Sequence, residues 1–148
     1  MKIKINIEKQ YDEIEVHIYA NEYNAEIEQL MKQLKKNEVN AIDGYRDNEI
    51  HMLKTNDIYC IYAEGIKVFF QTEEEEFDSK RRIYELEQLL GDKFVRVNKS
   101  TLVNISKITS IQLGPLGSTQ LLLENEISVV VSRNYLKKLK QALGIGRN

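Results

Sequence analysis

Two histidines, one cysteine and one proline stand in 148 residues, and no apolar stretch approaches the ~20 residues a membrane span needs. A single cysteine excludes an internal disulfide, and with two histidines it leaves too few ligands for a structural zinc site. The N-terminus lacks a signal-peptide pattern, so a reducing, cytoplasmic setting is expected. No glycine-rich phosphate loop, internal repeat or low-complexity linker occurs. The sole proline falls in Pro115-Leu116-Gly117, which reads as a turn.

What the chain does have is 42% hydrophobic and 30% charged residues, enough for a core and too apolar for global disorder. Its length suits one domain of ordinary size, or a small domain with an appendage. The formal net charge of -2 conceals a split, with 21 acidic and 12 basic side chains up to Asp92 and 2 against 9 from Lys93 onward. A basic third on an acidic chain suggests a surface for polyanions, because neutralising phosphates releases condensed counterions. Solvated lysines on a helix and on strand edges would give the same balance.

Near the N-terminus, Lys2–Glu8 and Glu13–Ile18 alternate with period two and read as half-buried strands. A helix is predicted over roughly Asn24–Lys36, where Ile27, Leu30, Met31 and Leu34 make one apolar stripe. Glu26 and Glu28 near its start, and Lys32, Lys35 and Lys36 near its end, follow the helix dipole. From about Val39 short strands with turn punctuation take over. Asp47-Asn48 separates Ala41–Arg46 from Glu49–Leu53, and Ala63-Glu64-Gly65 separates Asp57–Tyr62 from Ile66–Gln71. The acidic run Glu73–Glu76 reads as a solvated turn, since carboxylates without fixed loop geometry make a poor calcium cage. A short helix at about Lys80–Leu90 follows, with Ser79 as N-cap and Gly91 beyond its end. Further strands are predicted at Phe94–Val97, Ile108–Leu113, Gln120–Leu123 and Ser128–Val131, and a last helix after Ser132. The fold class expected is mainly β with short helices, α+β overall: a β-β-α appendage over 1–40 and a β-dominated domain over 41–148.

Catalytic chemistry leaves little trace. His17 and His51 fall in predicted strands with no nucleophile or metal partner at a suitable spacing. Cys60 lies within Ile58-Tyr59-Cys60-Ile61-Tyr62, where a small buried hydrophobe is expected. No pair of carboxylates is marked out as an acid/base couple, so no enzyme, cofactor, metal or small-molecule substrate is expected. The informative segments lie in the basic third. Asn98-Lys99-Ser100-Thr101 interposes amides, a lysine and hydroxyls between apolar stretches. Lys99 suits a phosphate or a guanine edge, Asn98 a base edge, and Ser100 a phosphate; the same residues also make an ordinary polar turn. Ser132-Arg133-Asn134-Tyr135 opens the last helix and would set Arg133 beside N–H groups that favour phosphate. Arg133 suits guanine O6 and N7, unless it points into water and Ser132 merely caps. Lys67, beside Gly65, is a weaker third candidate, and Lys137 and Lys138 escape the apolar stripe of the last helix.

Several segments together resemble the LytTR-type DNA-binding domain of bacterial transcription regulators. They are Asp57-Ile58-Tyr59 through Val68, Leu86–Leu90, Phe94-Val95-Arg96-Val97-Asn98-Lys99-Ser100-Thr101-Leu102-Val103-Asn104, and Val131-Ser132-Arg133-Asn134-Tyr135. The resemblance covers about residues 42–146. It implies elongated antiparallel sheets whose loops, not a recognition helix, enter successive major grooves of bent DNA. By position, Lys67, Lys99 and Arg133 would sit in the base-reading loops, with Asn98, Ser100 and Asn134 supporting backbone contacts. Some 40 residues precede the resemblance, too few for the phosphoacceptor receiver of most such response regulators. The chain looks more like the short stand-alone LytTR proteins, which often accompany a small integral membrane protein. The expected function is a sequence-specific, double-stranded-DNA-binding transcription regulator, engaging repeated half-sites as a homodimer. The alternative is a protein-protein interaction module using the N-terminal helix and a basic face. Base stacking on Tyr59, Tyr62, Phe69 and Phe70, as in RNA binding, is a third reading, although strand aromatics more often mean core.

Overall fold

The computed structural model describes residues 1–34 and 39–146. They divide into two compact units, Met1–Asn37 and Glu38–Asn148. In the first, residues 1–24 contain neither helix nor strand, and the Tyr11 N–H closes a turn on the Glu8 carbonyl at 3.3 Å. The two strands expected here do not form. Alternation supplies an apolar face but nothing to cover it: Ile3, Ile5, Ile7, Ile14 and Val16 stay 60% to 94% exposed. A lone two-stranded ribbon is marginal in water for that reason. The expected β-β-α appendage is therefore an irregular lead and one helix, α1 (Ala25–Leu34). Asn24 caps it, its Oδ1 accepting from the Ile27 N–H at 3.1 Å. Lys35 and Lys36, expected to end that helix, residues 37 and 38 of the expected boundary, and Arg147 of the basic third lie outside the described residues.

The second unit holds β1 (Ala41–Arg46), β2 (Glu49–Lys54), β3 (Cys60–Glu64), β4 (Lys67–Gln71), β5 (Glu76–Ser79), α2 (Ile83–Leu89), β6 (Phe94–Asn98), β7 (Thr101–Asn104), β8 (Ile108–Leu113), β9 (Thr119–Leu123), β10 (Ser128–Val131) and α3 (Arg133–Ala142). Every strand pairing is antiparallel. One sheet has the order β2-β1-β5-β4-β3-β7-β6 and the other β10-β9-β8. The mainly-β class with short helices is what the alternating segments require.

Period two explains the layering. Ile61, Leu102 and Phe94 face one way from β3, β7 and β6, joining Ile42, Val68, Phe70, Phe77 and the α2 residues Leu86 and Leu90. Their neighbours Cys60, Val103, Val95 and Val97 face the other way, against Leu121, Leu123, Val129 and Val131 of the small sheet and Leu139 of α3. The central strands are thus buried on both faces, and the large sheet separates two cores.

The β1–β2 turn is the one expected: Asp47 and Asn48 both have positive φ, at 50° and 63°, the two-residue geometry that suits the twist of a hairpin. The next hairpin turns one step later than expected, at Gly65 (φ 61°) and Ile66, with Glu64 opposite Lys67. Glu76 opens a strand, because β5 pairs with β4 and its Phe77 is buried. Ser79 is consequently the last residue of β5, opposite Val68, and not a helix cap; Arg82 holds the N-cap position of α2. Gly91 is not in the left-handed region; a Cβ there would come within 3.0 Å of the Glu87 carbonyl oxygen. Gly144, at φ 70°, does close α3, where Gly144 N–H donates to Gln141 O and Ile145 N–H to Lys140 O in a Schellman pair.

Candidate nucleic-acid interface

Long-range pairing gathers three chain segments at one end of the large sheet. The β3–β4 turn carries Gly65, Ile66 and Lys67; the β6–β7 turn carries Lys99 and Ser100; the β10–α3 junction carries Ser132 and Arg133. The Ala63 N–H donates to the Ser100 carbonyl at 2.9 Å, tying the first to the second. The Ser132 N–H donates to the Val97 carbonyl at 2.9 Å, and Asn98 Nδ2 donates to the Val130 carbonyl at 2.8 Å, tying the second to the third. Lys99 and Arg133 are therefore carried by segments that are bonded to each other, although 34 positions separate them in the chain.

The β6–β7 turn is held throughout. Asn98 Oδ1 accepts from the Ser100 N–H at 2.9 Å and from the Ser100 hydroxyl at 3.2 Å. Arg96 Nε donates to the Asn98 carbonyl at 3.3 Å, and Arg96 Nη2 donates to the Lys99 carbonyl. The Asn98 amide, given a base-edge contact or backbone support in the sequence reading, is occupied inside the protein at both its oxygen and its nitrogen. The Ser100 hydroxyl is likewise turned toward Asn98. The Lys99 side chain is exposed and has no internal hydrogen bond or ion pair among the described residues.

Arg133, Asn134 and Lys137 are similarly exposed and without a partner among the described residues. Arg133 is the first residue of α3, and the first turn contains no acid. A cation there faces the positive end of the helix dipole, an arrangement that costs about 0.3–1 kcal/mol unless an anion is added. Ser132 offers no side-chain cap, so its helix keeps N–H groups open to a phosphate. Lys137 lies one turn further along the same helix face as Arg133. Lys138 is different: its Nζ lies 3.7 Å from Glu87 Oε2 of α2. Lys67, opposite Glu64 in the β3–β4 ladder, is exposed, and Ile66 beside it is fully exposed.

Sequence reasoning missed Ile66, Arg96 and Glu87. A hairpin tip with an apolar residue next to Gly65 was a legible signal for the first. Nothing local marks Arg96, because its partners are carbonyl groups and a carboxylate nine residues away.

The candidate catalytic side chains among the described residues are not gathered in the same way. Among the described residues no group of three or more His, Cys, Asp or Glu side chains could hold a metal ion. Cys60 is 5% exposed, and burial, with the Glu76 charge as a smaller cause, pushes its thiol up to about 11. Tyr59 and Phe70 are buried, while Tyr62 and Phe69 are half-buried and stack on each other at 5.3 Å. No helix among the described residues is long and apolar enough to cross a membrane.

Comparison with known proteins decides the family. The family model described as LytTr DNA-binding domain matches residues 48–144. The chain belongs to the LytTR family. A solved LytTr DNA-binding domain from Bacillus cereus superposes with a TM-score of 0.68 at 23% identity, covering 72% of this chain and 99% of that one. Two proteins of Staphylococcus aureus, from strains MSSA476 and NCTC 8325 / PS 47, are each 31% identical over 98% of this chain and 99% of their own length. Both are described as uncharacterized HTH-type transcriptional regulators. This LytTR chain shows no helix-turn-helix among its described residues: five strands separate α2 from α3, and β1 follows α1.

Proposed function

We propose that the chain is a transcription regulator that reads double-stranded DNA in the major groove through the three joined segments. Lys67, Lys99 and Arg133 meet base edges, with Arg133 engaging guanine O6 and N7. Ile66 supplies an apolar contact of the kind a thymine methyl accepts. Asn134, Lys137 and the free N–H groups of α3 hold the DNA backbone, Lys138 adds a partly offset charge, and Asn98 and Ser100 support the backbone contacts by shaping the turn. The observation that carries this reading is the pair of hydrogen bonds, Ser132 to Val97 and Asn98 to Val130, that couples the Lys99 turn to the Arg133 junction.

The test is selection of bound duplexes from a random library, followed by affinities for the selected and a random duplex. Arg133→Ala should cost about 1–3 kcal/mol on the selected duplex and relax base choice at one position. Equal losses on both duplexes would remove the base-reading role.

The binding unit is a homodimer on repeated half-sites, assembled through residues 1–40. The support is the exposed row Ile3, Ile5, Ile7, Ile14 and Val16. Extending the Glu8–Tyr11 turn into a ladder would set Ile5 opposite Ile14, Ile3 opposite Val16 and Lys4 opposite Glu15. One face of that ribbon carries Ile3, Ile5, Ile7, Ile14 and Val16, with Asp12 at its turn end, and a second copy covers the apolar part. Light scattering on the full chain and on a variant lacking residues 1–38 distinguishes the cases. A dimer that survives the deletion excludes this surface, and a full-length monomer points instead to a different partner, such as the small membrane protein that accompanies stand-alone relatives.

A further inference from the structure

We infer that Arg96 is a positioning residue for the DNA-reading β6–β7 turn, kept in that role by Glu87, so that selectivity at Lys99 depends on a side chain that touches no DNA. This rests on the base-reading role of Lys99 given above. Arg96 projects from β6 with its side chain only 15% exposed. Its three guanidinium nitrogens take three different acceptors: Nε the Asn98 carbonyl, Nη2 the Lys99 carbonyl, and Nη1 Glu87 Oε1 at 3.3 Å.

The need for such a clamp follows from the register. Pairing slips between Arg96 and Asn98, so the β6–β7 ladder is irregular where the turn begins. Two consecutive carbonyls, of Asn98 and Lys99, accept from this one side chain. A planar fork of fixed N–H directions serves both at once; an ammonium does not. Together with Asn98 Oδ1 on Ser100 and Ala63 on the Ser100 carbonyl, the clamp fixes the backbone on both sides of Lys99. The Lys99 side chain then leaves a backbone of set orientation, which is what base selection demands.

Glu87 has a separate task. A guanidinium beside a DNA-reading turn has an alternative partner in every phosphate of the duplex. Glu87 holds Arg96 on the protein side, and its second oxygen, 3.7 Å from Lys138 Nζ, also restrains the cation of α3. The pair thereby trades sequence-independent attraction for a defined turn.

The experiment measures the ratio of affinities for the selected and the random duplex, using the full chain. A wild-type ratio near one means that the base-reading proposal itself has failed, and the inference with it. Given a wild-type preference, Arg96→Lys keeps the charge and should lower the ratio by about tenfold, the scale of one charge-assisted hydrogen bond, with random-duplex affinity unchanged. Adding Lys99→Ala to Arg96→Lys should then cost far less selectivity than Lys99→Ala alone, because the two act through one turn. Glu87→Gln should raise random-duplex affinity while lowering the ratio. This variant serves even if Arg96→Lys melts too low to assay. A ratio within twofold of wild type for both variants, or full additivity of Arg96→Lys with Lys99→Ala, overturns the inference.

Discussion

Salt dependence offers a quantitative reading of the basic surface. On a random duplex no base edge is matched, so the free cations rest on phosphates. Lys67, Lys99, Arg133 and Lys137 are exposed and have no internal partner among the described residues. Each neutralised phosphate contributes about -0.9 to the slope of log affinity against log salt, so these four give roughly -3.6 for one domain. Between 50 and 200 mM salt that slope amounts to a loss of roughly 150-fold, and two domains acting together double the slope. The decisive comparison is between adjacent lysines of α3. Lys137→Ala should make the slope shallower by about 0.9. Lys138→Ala should change it by less than half as much, because Glu87 lies 3.7 Å from its Nζ and already offsets its charge. Fluorescence anisotropy with a labelled random duplex, titrated at five or so salt concentrations, gives all three slopes. Equal changes for the two lysines, or a wild-type slope shallower than about -1, would refute the assignment of these cations to phosphate.

Three further outcomes test the scaffold. Asn104 is 3% exposed, and its amide donates to the Ile58 carbonyl at 2.8 Å while accepting from the Ser106 N–H and hydroxyl at 3.0 and 2.8 Å. Asn104→Ala removes the side-chain donor of the buried Ile58 carbonyl and the acceptor that holds Ser106, and should cost about 1–3 kcal/mol in a urea melt. A Cβ on Gly44 would lie 2.6 Å from Leu53 Cδ1 and 3.0 Å from Phe77 Cβ, so Gly44→Ala should lower stability by about 1–3 kcal/mol, read as a drop in Tm. The Asp43 carboxyl is held below its usual 3.8 chiefly by the Arg81 hydrogen bond and then by that of Tyr45. A depressed carboxylate adds stability above its unfolded pKa and loses it as pH falls through the folded value. Asp43→Asn should therefore flatten the acid limb of the stability–pH curve below about pH 4, and an unchanged limb would contradict the pairing.

Where the chemistry is local, the sequence is enough. Asp47-Asn48 tolerates positive φ, and the hairpin around it forms as expected. Gly144 after an apolar stripe ends a helix in the expected left-handed conformation. Cys60, in an apolar run, is buried. Local patterning fails where a partner decides the outcome. Glu76–Ser79 and Thr101–Asn104 become strands because β4 and β3 lie beside them to receive their hydrogen bonds. Lys2–Glu8 and Glu13–Ile18 have the better alternation yet stay unpaired, with their isoleucines in water.

The candidate site divides the same way. Residue type and a polar turn or helix start singled out Lys99 and Arg133, and the hairpin assignment added Lys67, as candidate contact cations. Asn98 looked equally suited to a base edge from its residue type. Its true neighbour, the Val130 carbonyl, stands 32 positions away and is brought to it only by folding. Arg96 is one more cation in the basic third by sequence, and only folding turns it onto the Asn98 and Lys99 carbonyls and Glu87. A sequence names the groups able to hold DNA; which of them face outward and which are used to hold the others still is settled by hydrogen bonds between distant strands, and no local pattern encodes those.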